Sequence, residues 1–142
     1  MSEGRGVDGR SIGRAVYRAL VLDDDEETLA FAAAALHAFA PGFEVATARD
    51  LREAAAWLET FQPDLLLVEM KFSREAAAAL AVGGRSGASP RDCPIVIVSR
   101  LVGEDILADP ARANAAAALR KPFGLQTLLG TVRRVVRQPT DH

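Results

Sequence analysis

The sequence predicts an α/β protein in which a five-stranded parallel sheet is doubly wound, with helices on both faces. Three observations predict it. Five short apolar runs recur along the chain and alternate with stretches whose apolar residues repeat at helical spacing. Two of the runs, Leu65-Leu66-Leu67-Val68 and Pro94-Ile95-Val96-Ile97-Val98, are apolar throughout, as strands covered on both faces are. Most of the runs end abruptly in charged or hydroxyl residues, which mark the edge of the sheet where such folds place their chemistry.

The elements follow in order. Residues 1–16 have no packing pattern and read as a tail. The first strand is Tyr17-Arg18-Ala19-Leu20-Val21-Leu22, closed by Asp23-Asp24-Asp25. Leu29, Ala32, Ala33, Leu36 and Phe39 define the first helix, broken by Pro41-Gly42. Phe43-Glu44-Val45-Ala46-Thr47 alternates as a half-buried strand does. Leu51, Ala54, Ala55 and Leu58 give a second helix ending near Gln62-Pro63, with Trp57 expected in the core. After the third strand, an alanine-rich helix is expected over residues 74–82, then a loop, GGRSGASPRD. The fourth strand is followed by a weak helix over 104–108. The run Ala115-Ala116-Ala117-Ala118-Leu119 is ambiguous by propensity and is assigned as the fifth strand from its place in the series. Leu125, Leu128, Leu129, Val132, Val135 and Val136 form the clearest amphipathic helix, and residues 138–142 are a second tail.

Bulk properties exclude several classes. At 142 residues the chain is one domain, assigned to residues 17–137, with 49% hydrophobic and 25% charged residues. A net charge of −2 and no basic stripe argue against nucleic acid as a partner. No apolar run approaches the roughly 20 residues of a membrane helix, and the N-terminus has no apolar signal core. The single cysteine, Cys93, allows no internal disulfide and reads as a packing residue; the expected location is cytoplasmic. His37 has no second ligand-type residue near it and reads as an ordinary helix-surface histidine.

If the fold is right, Asp23-Asp24-Asp25, Glu69, Ser99 and Lys121-Pro122-Phe123 converge on one rim. Adjacent carboxylates repel unless a cation lies between them, and a hard ion such as Mg²⁺ favours an all-oxygen cluster. A hydroxyl and an ammonium beside it suit a phosphoryl group. The segments VLDDDEE, PDLLLVE, PIVIVS and LRKPF, in this order and spacing, resemble the receiver domains of bacterial two-component response regulators, over about residues 17–137. The resemblance implies a flavodoxin-like sheet of strand order 2-1-3-4-5 and a protein partner: a histidine kinase, an output protein or another regulator. It also implies Mg²⁺ at the acidic pair, with Asp24 a direct ligand and Asp23 acting through water. Ser99 and Lys121 would face the phosphate position, a cis bond would precede Pro122, and the face of helix four, strand five and helix five would serve for docking or homodimerisation.

Four departures stand out against that pattern. Glu69 occupies the position where the family carries its phosphorylated aspartate, and its extra methylene adds about 1.5 Å of reach toward Lys121 or Ser99. Arg100 replaces the small residue that usually leaves the phosphate site open. Ala118 stands where a rotating aromatic usually reports phosphorylation. Met-Lys-Phe-Ser-Arg follows Glu69 in place of a Pro-Gly loop, and its Lys71, with Arg100, is a candidate to supply positive charge to the acidic pair. Asp25 reads as a helix cap, and Arg133, Arg134 and Arg137 as a solvated face. The expectation is a non-catalytic pseudo-receiver that acts by docking. With no output domain expected after Arg137, the signal would pass through protein contact. Glu69 either imitates the phosphorylated state or leaves a phosphate-blind scaffold, and Ala118 favours the scaffold. The competing readings are an authentic phosphoacceptor regulator and a phosphohydrolase of the haloacid-dehalogenase type; the latter needs an acidic pair after Lys121 that the sequence lacks.

Overall fold

The computed structural model describes residues 17–38, 42–83 and 93–137. The expected tails, Phe39, Pro41 and nearly all of the GGRSGASPRD loop lie outside the described residues. The chain runs β1 (Tyr17–Leu22), α1 (Glu26–His37), β2 (Phe43–Ala48), α2 (Leu51–Thr60), β3 (Leu65–Glu69), a 3-10 turn, α3 (Ser73–Gly83), β4 (Ile95–Ser99), α4 (Glu104–Ala108), a second 3-10 turn, β5 (Ala117–Arg120) and α5 (Leu125–Arg137). All neighbouring strands pair in parallel, in the order β2-β1-β3-β4-β5.

Side chains alternate across a strand, so each run feeds two cores. Ala19, Val21, Leu65, Leu67, Val96, Val98 and Leu119 face α1 and α5, where Leu29, Leu36, Leu128 and Val132 meet them. Leu20, Leu22, Leu66, Val68, Ile95 and Ile97 face α2 and α3, against Ala54, Leu58, Ala76 and Leu80. Burial on both faces is the reason that the central strands are apolar at every position.

Three details differ from the sequence reading. β5 is Ala117–Arg120, two residues later than its alanine run indicated at the start. Residues 110–113 form a 3-10 turn, and Asn114 closes it in the left-handed region at φ 59. Trp57 is not a core residue: it is 39% exposed. α2 buries the narrow stripe Ala54 and Leu58; the indole lies beside it, stacks edge-on against Phe61 and donates Nε1–H to the Thr47 carbonyl at 3.1 Å. A large ring with one donor settles where its polar tip finds an acceptor, and an edge strand offers one. His37 is exposed and Cys93 buried, as read from sequence.

Candidate functional site

The strand order reverses between β1 and β3, so the ends of these two strands and of β4 and β5 bound the crevice. Asp23 ends β1: its N–H donates to the Ala48 carbonyl at 3.0 Å, and its side chain is fully buried. Asp23 Oδ1 accepts from the Asp25 N–H at 2.9 Å, turning the chain into α1. Asp25 caps that helix, accepting from the Glu27 N–H at 3.1 Å and the Thr28 hydroxyl at 2.9 Å. Glu69 ends β3 opposite Val98 of β4, and the Lys121 N–H donates to the Ser99 carbonyl at 3.0 Å, which brings the end of β5 onto the same rim. The Lys121–Pro122 peptide is cis.

Lys121 is the centre of the cluster. Its buried Nζ donates to Glu69 Oε1 at 3.0 Å, lies 2.8 Å from Asp23 Oδ2 and 4.0 Å from Asp25 Oδ2. The Asp23 contact has ion-pair distance but not hydrogen-bond alignment, so Oδ2 is neutralised without being the target of a directed donor. Burial pushes the Asp23 carboxyl above the usual aspartate range, and Lys121 and the Asp25 N–H offset only part of that. Burial also pulls on Lys121 in the neutral direction, but its contacts with Asp23 and Glu69 outweigh it and hold the ammonium above the usual lysine range.

Asp24 turns outward and meets Lys71 Nζ at 2.5 Å. The hydrogen bond to Lys71 lowers the Asp24 pKa, and the same bond raises that of Lys71. Asp25 is held below the ordinary range, chiefly by the Thr28 hydroxyl. Of the residues singled out in the sequence, the fold thus gathers Asp23, Glu69 and Lys121 into one contact set and Asp24 with Lys71 into another. Ser99 is buried beside them, but its hydroxyl oxygen accepts from the Leu101 N–H at 3.1 Å, within its own loop. Arg100 is exposed and lines, with Phe31, Phe123 and Lys121, a cleft next to the cluster. Ala118 is partly buried on the α2–α3 side of the sheet.

Sequence reasoning missed two features. Asp25 is within ion-pair distance of Lys121 as well as capping α1. Arg120, adjacent to Lys121, donates through Nε and Nη2 to the Val102 carbonyl at 3.2 and 2.9 Å and pairs with Glu104, tying β5 to the start of α4. The only sequence signal for the second was an arginine next to the Lys-Pro pair.

Among the described residues no three ligand-type side chains converge as a metal site. Asp23 and Asp24, the pair expected to hold Mg²⁺, each have an ammonium against an oxygen instead. In this arrangement the residues do not fit the ion.

The profile of the response regulator receiver domain matches residues 19–133. The chain belongs to the response regulator receiver family. It is 31% identical over 121 residues to the transcriptional regulatory protein PrrA of Mycobacterium bovis and to that of Mycobacterium tuberculosis, covering 85% of this chain and 50% of each relative. The chain therefore spans about half the length of the curated relatives it matches. A response regulator from Thermotoga maritima superposes with a TM-score of 0.67 at 24% identity, covering 85% of this chain and 98% of that one. The receiver domain of the sensor histidine kinase PA1611 from Pseudomonas aeruginosa, described with a magnesium ion coordinated in its active-site cleft, superposes with a TM-score of 0.68 at 17% identity, covering 86% and 98%. These likenesses fix the five-stranded receiver fold. Among the described residues no helix is long and apolar enough to cross a membrane.

Proposed function

We propose that this receiver domain is a non-catalytic module of two-component signalling that is not phosphorylated in the usual way and works by docking a protein partner in the cytoplasm. The observation that carries the reading is the contact of Glu69 Oε1 with Lys121 Nζ at 3.0 Å. An aspartate at this position would be one methylene short of that reach, and an incoming phosphoryl group would bridge the gap. Glu69 bridges it without phosphate, so a standing charge-assisted bond replaces a switchable one. Transfer to Glu69 is disfavoured twice: its oxygen is engaged by the ammonium, and nucleophile placement that is off by an ångström slows such reactions steeply.

The partner is a histidine kinase, an output protein or another regulator, with a second copy of the chain as the homodimeric variant through the face of α4, β5 and α5. The name borne by the mycobacterial relatives points to transcription as the process controlled. Ser99 and Lys121 keep the phosphate-facing positions, Arg100 modifies the cleft mouth, and Ala118 leaves no aromatic to relay a change at the site. These features favour a phosphate-blind scaffold over a permanently active mimic.

Incubation with acetyl phosphate and Mg²⁺, followed by intact-mass measurement, tests the reading. The native chain is expected to gain no phosphoryl group, and Glu69→Asp alone is expected to remain poorly labelled because Arg100 still lines the cleft beside Lys121. Stoichiometric acyl phosphate on the native chain would return the protein to the ordinary phosphoacceptor class. Robust labelling of Glu69→Asp would remove the part assigned to Arg100.

A further inference from the structure

Among the described residues four large apolar side chains are exposed: Phe31, Trp57, Leu101 and Leu125. Three of them gather at one place. Phe31 packs on Phe123 with ring centroids 5.9 Å apart, and both rings line the cleft beside Lys121. Leu101 follows Arg100, which lines the same cleft from the loop after β4, and Leu125 stands two residues beyond Phe123. A contiguous apolar rim marks a contact surface, whereas single exposed side chains need no explanation. The cleft holds about 160 Å³. That is less than the roughly 300 Å³ at which small-molecule sites begin, so it suits one or two side chains of another surface better than a metabolite.

The charges of the cleft point to the occupant. Lys121 is engaged by Asp23 and Glu69, and Asp25 by the Glu27 N–H and the Thr28 hydroxyl. Two charged side chains of the cleft remain with no ion pair or hydrogen bond among the described residues: Glu27, on α1, and Arg100. We propose that a second copy of the chain docks on this cleft about a two-fold axis, with Arg100 of each copy against Glu27 of the other and apolar rim against apolar rim. A two-fold contact has to be self-complementary, so that residue i meets j and j meets i. One unpaired acid and one unpaired base flanking an apolar rim meet that condition. A different protein would have to bring acid, base and apolar group at matching places; a second copy already carries them. This surface lies on the α1 side of the molecule, apart from the α4, β5 and α5 face considered above, and its assignment does not rest on the reading of Glu69.

Sedimentation equilibrium of the full chain, at low salt and without phosphodonor, reads the association. The native chain is expected to form a dimer whose population rises with concentration. Arg100→Glu and Glu27→Arg each set like charges together twice across the axis, and each is expected to raise the dimer dissociation constant about tenfold or more. An equimolar mixture of the two single variants regains both opposite-charge pairs, so it is expected to form a mixed dimer of near-native affinity. The double variant Glu27→Arg/Arg100→Glu is expected to do the same. Ala108→Arg, at an exposed position of α4, is expected to leave the association unchanged. All these positions are exposed, and circular dichroism checks that each variant folds. If a charge reversal fails to fold, Leu101→Asp, at an 82% exposed position, carries the test through the apolar rim and is expected to weaken the dimer about tenfold. A native chain that stays monomeric at millimolar concentration would overturn the proposal and leave the cleft to a different protein. A dimer indifferent to both reversals, single variants whose mixture does not associate, or a dimer broken by Ala108→Arg would overturn it as well. With no phosphodonor present, the labelling result for Glu69 stands or falls separately.

Discussion

A carboxylate with no exposed surface needs a reason to be charged, and at Asp23 the reasons are the Lys121 ammonium and the Asp25 N–H. Breaking a buried pair by deleting one partner strands the other, so Lys121→Met is expected to cost about 3 kcal/mol or more in urea unfolding. The reverse deletion differs. Lys121 keeps Glu69 as a partner when Asp23 loses its charge, so Asp23→Asn is expected to cost less than Lys121→Met. The double variant Asp23→Asn/Lys121→Met should then be more stable than Lys121→Met alone; strict additivity of the two single effects would show that the charges are not coupled. The pH dependence has a definite sign. Lys121 and Lys71 have folded-state pKa values above the ordinary lysine value of 10.5. Stability from their contacts is therefore fully present below that value and is lost as pH rises through the folded-state values. The native chain should lose more stability than Lys121→Met over that alkaline range. A parallel loss in both would assign the effect to other titrating groups.

At the scale of elements, what could be read in advance depended on how strongly local pattern and burial agreed. β3 and β4 were legible because burial on both faces leaves an unbroken apolar run, and α5 because one face alone is buried. The start of β5 was not, since alanine fits helix, strand and turn alike and pairing with β4 decides where the strand starts. Trp57 was misread for a related reason: its size argued for the core, but the carbonyl that its N–H needs lies at the sheet edge. Of the site, the strand-end residues were legible because topology alone brings them together. The Asp25–Lys121 approach and the Arg120 brace were not, because side-chain direction after a strand end is a tertiary matter. That brace belongs to the weakest element. α4 has five residues, and Gly103 at its N-cap offers no side-chain acceptor; Arg120 holds its approach through the Val102 carbonyl. Arg120→Met is expected to cost about 1 kcal/mol and to speed amide exchange between residues 102 and 108 while leaving β3 protected. Unchanged exchange there would mean that Val102, itself buried, anchors the loop unaided.

For the whole molecule, the question is whether the site still commands the distant face formed by α4, β5 and α5. A ligand shifts a conformational equilibrium only by the difference in its affinity for the two states. Phosphate gains nothing at Lys121 if Glu69 already holds the ammonium in either state, and Ala118, a methyl group on β5, cannot rotate from one environment to another as a ring can. The scaffold reading therefore expects amide exchange over α4, β5 and α5, and the sedimentation coefficient, to be the same with and without acetyl phosphate and Mg²⁺. Glu69→Gln separates the scaffold from the permanently active mimic. It keeps the shape of the side chain, removes its charge and weakens the bond to Lys121. In a scaffold the change is confined to the cluster: exchange quickens near Lys121, while any self-association of the chain keeps its affinity. In a mimic the same substitution switches the module off, and association through the α4, β5 and α5 face weakens together with protection of that face. That joint loss would reject the scaffold and make the Glu69–Lys121 bond the built-in signal.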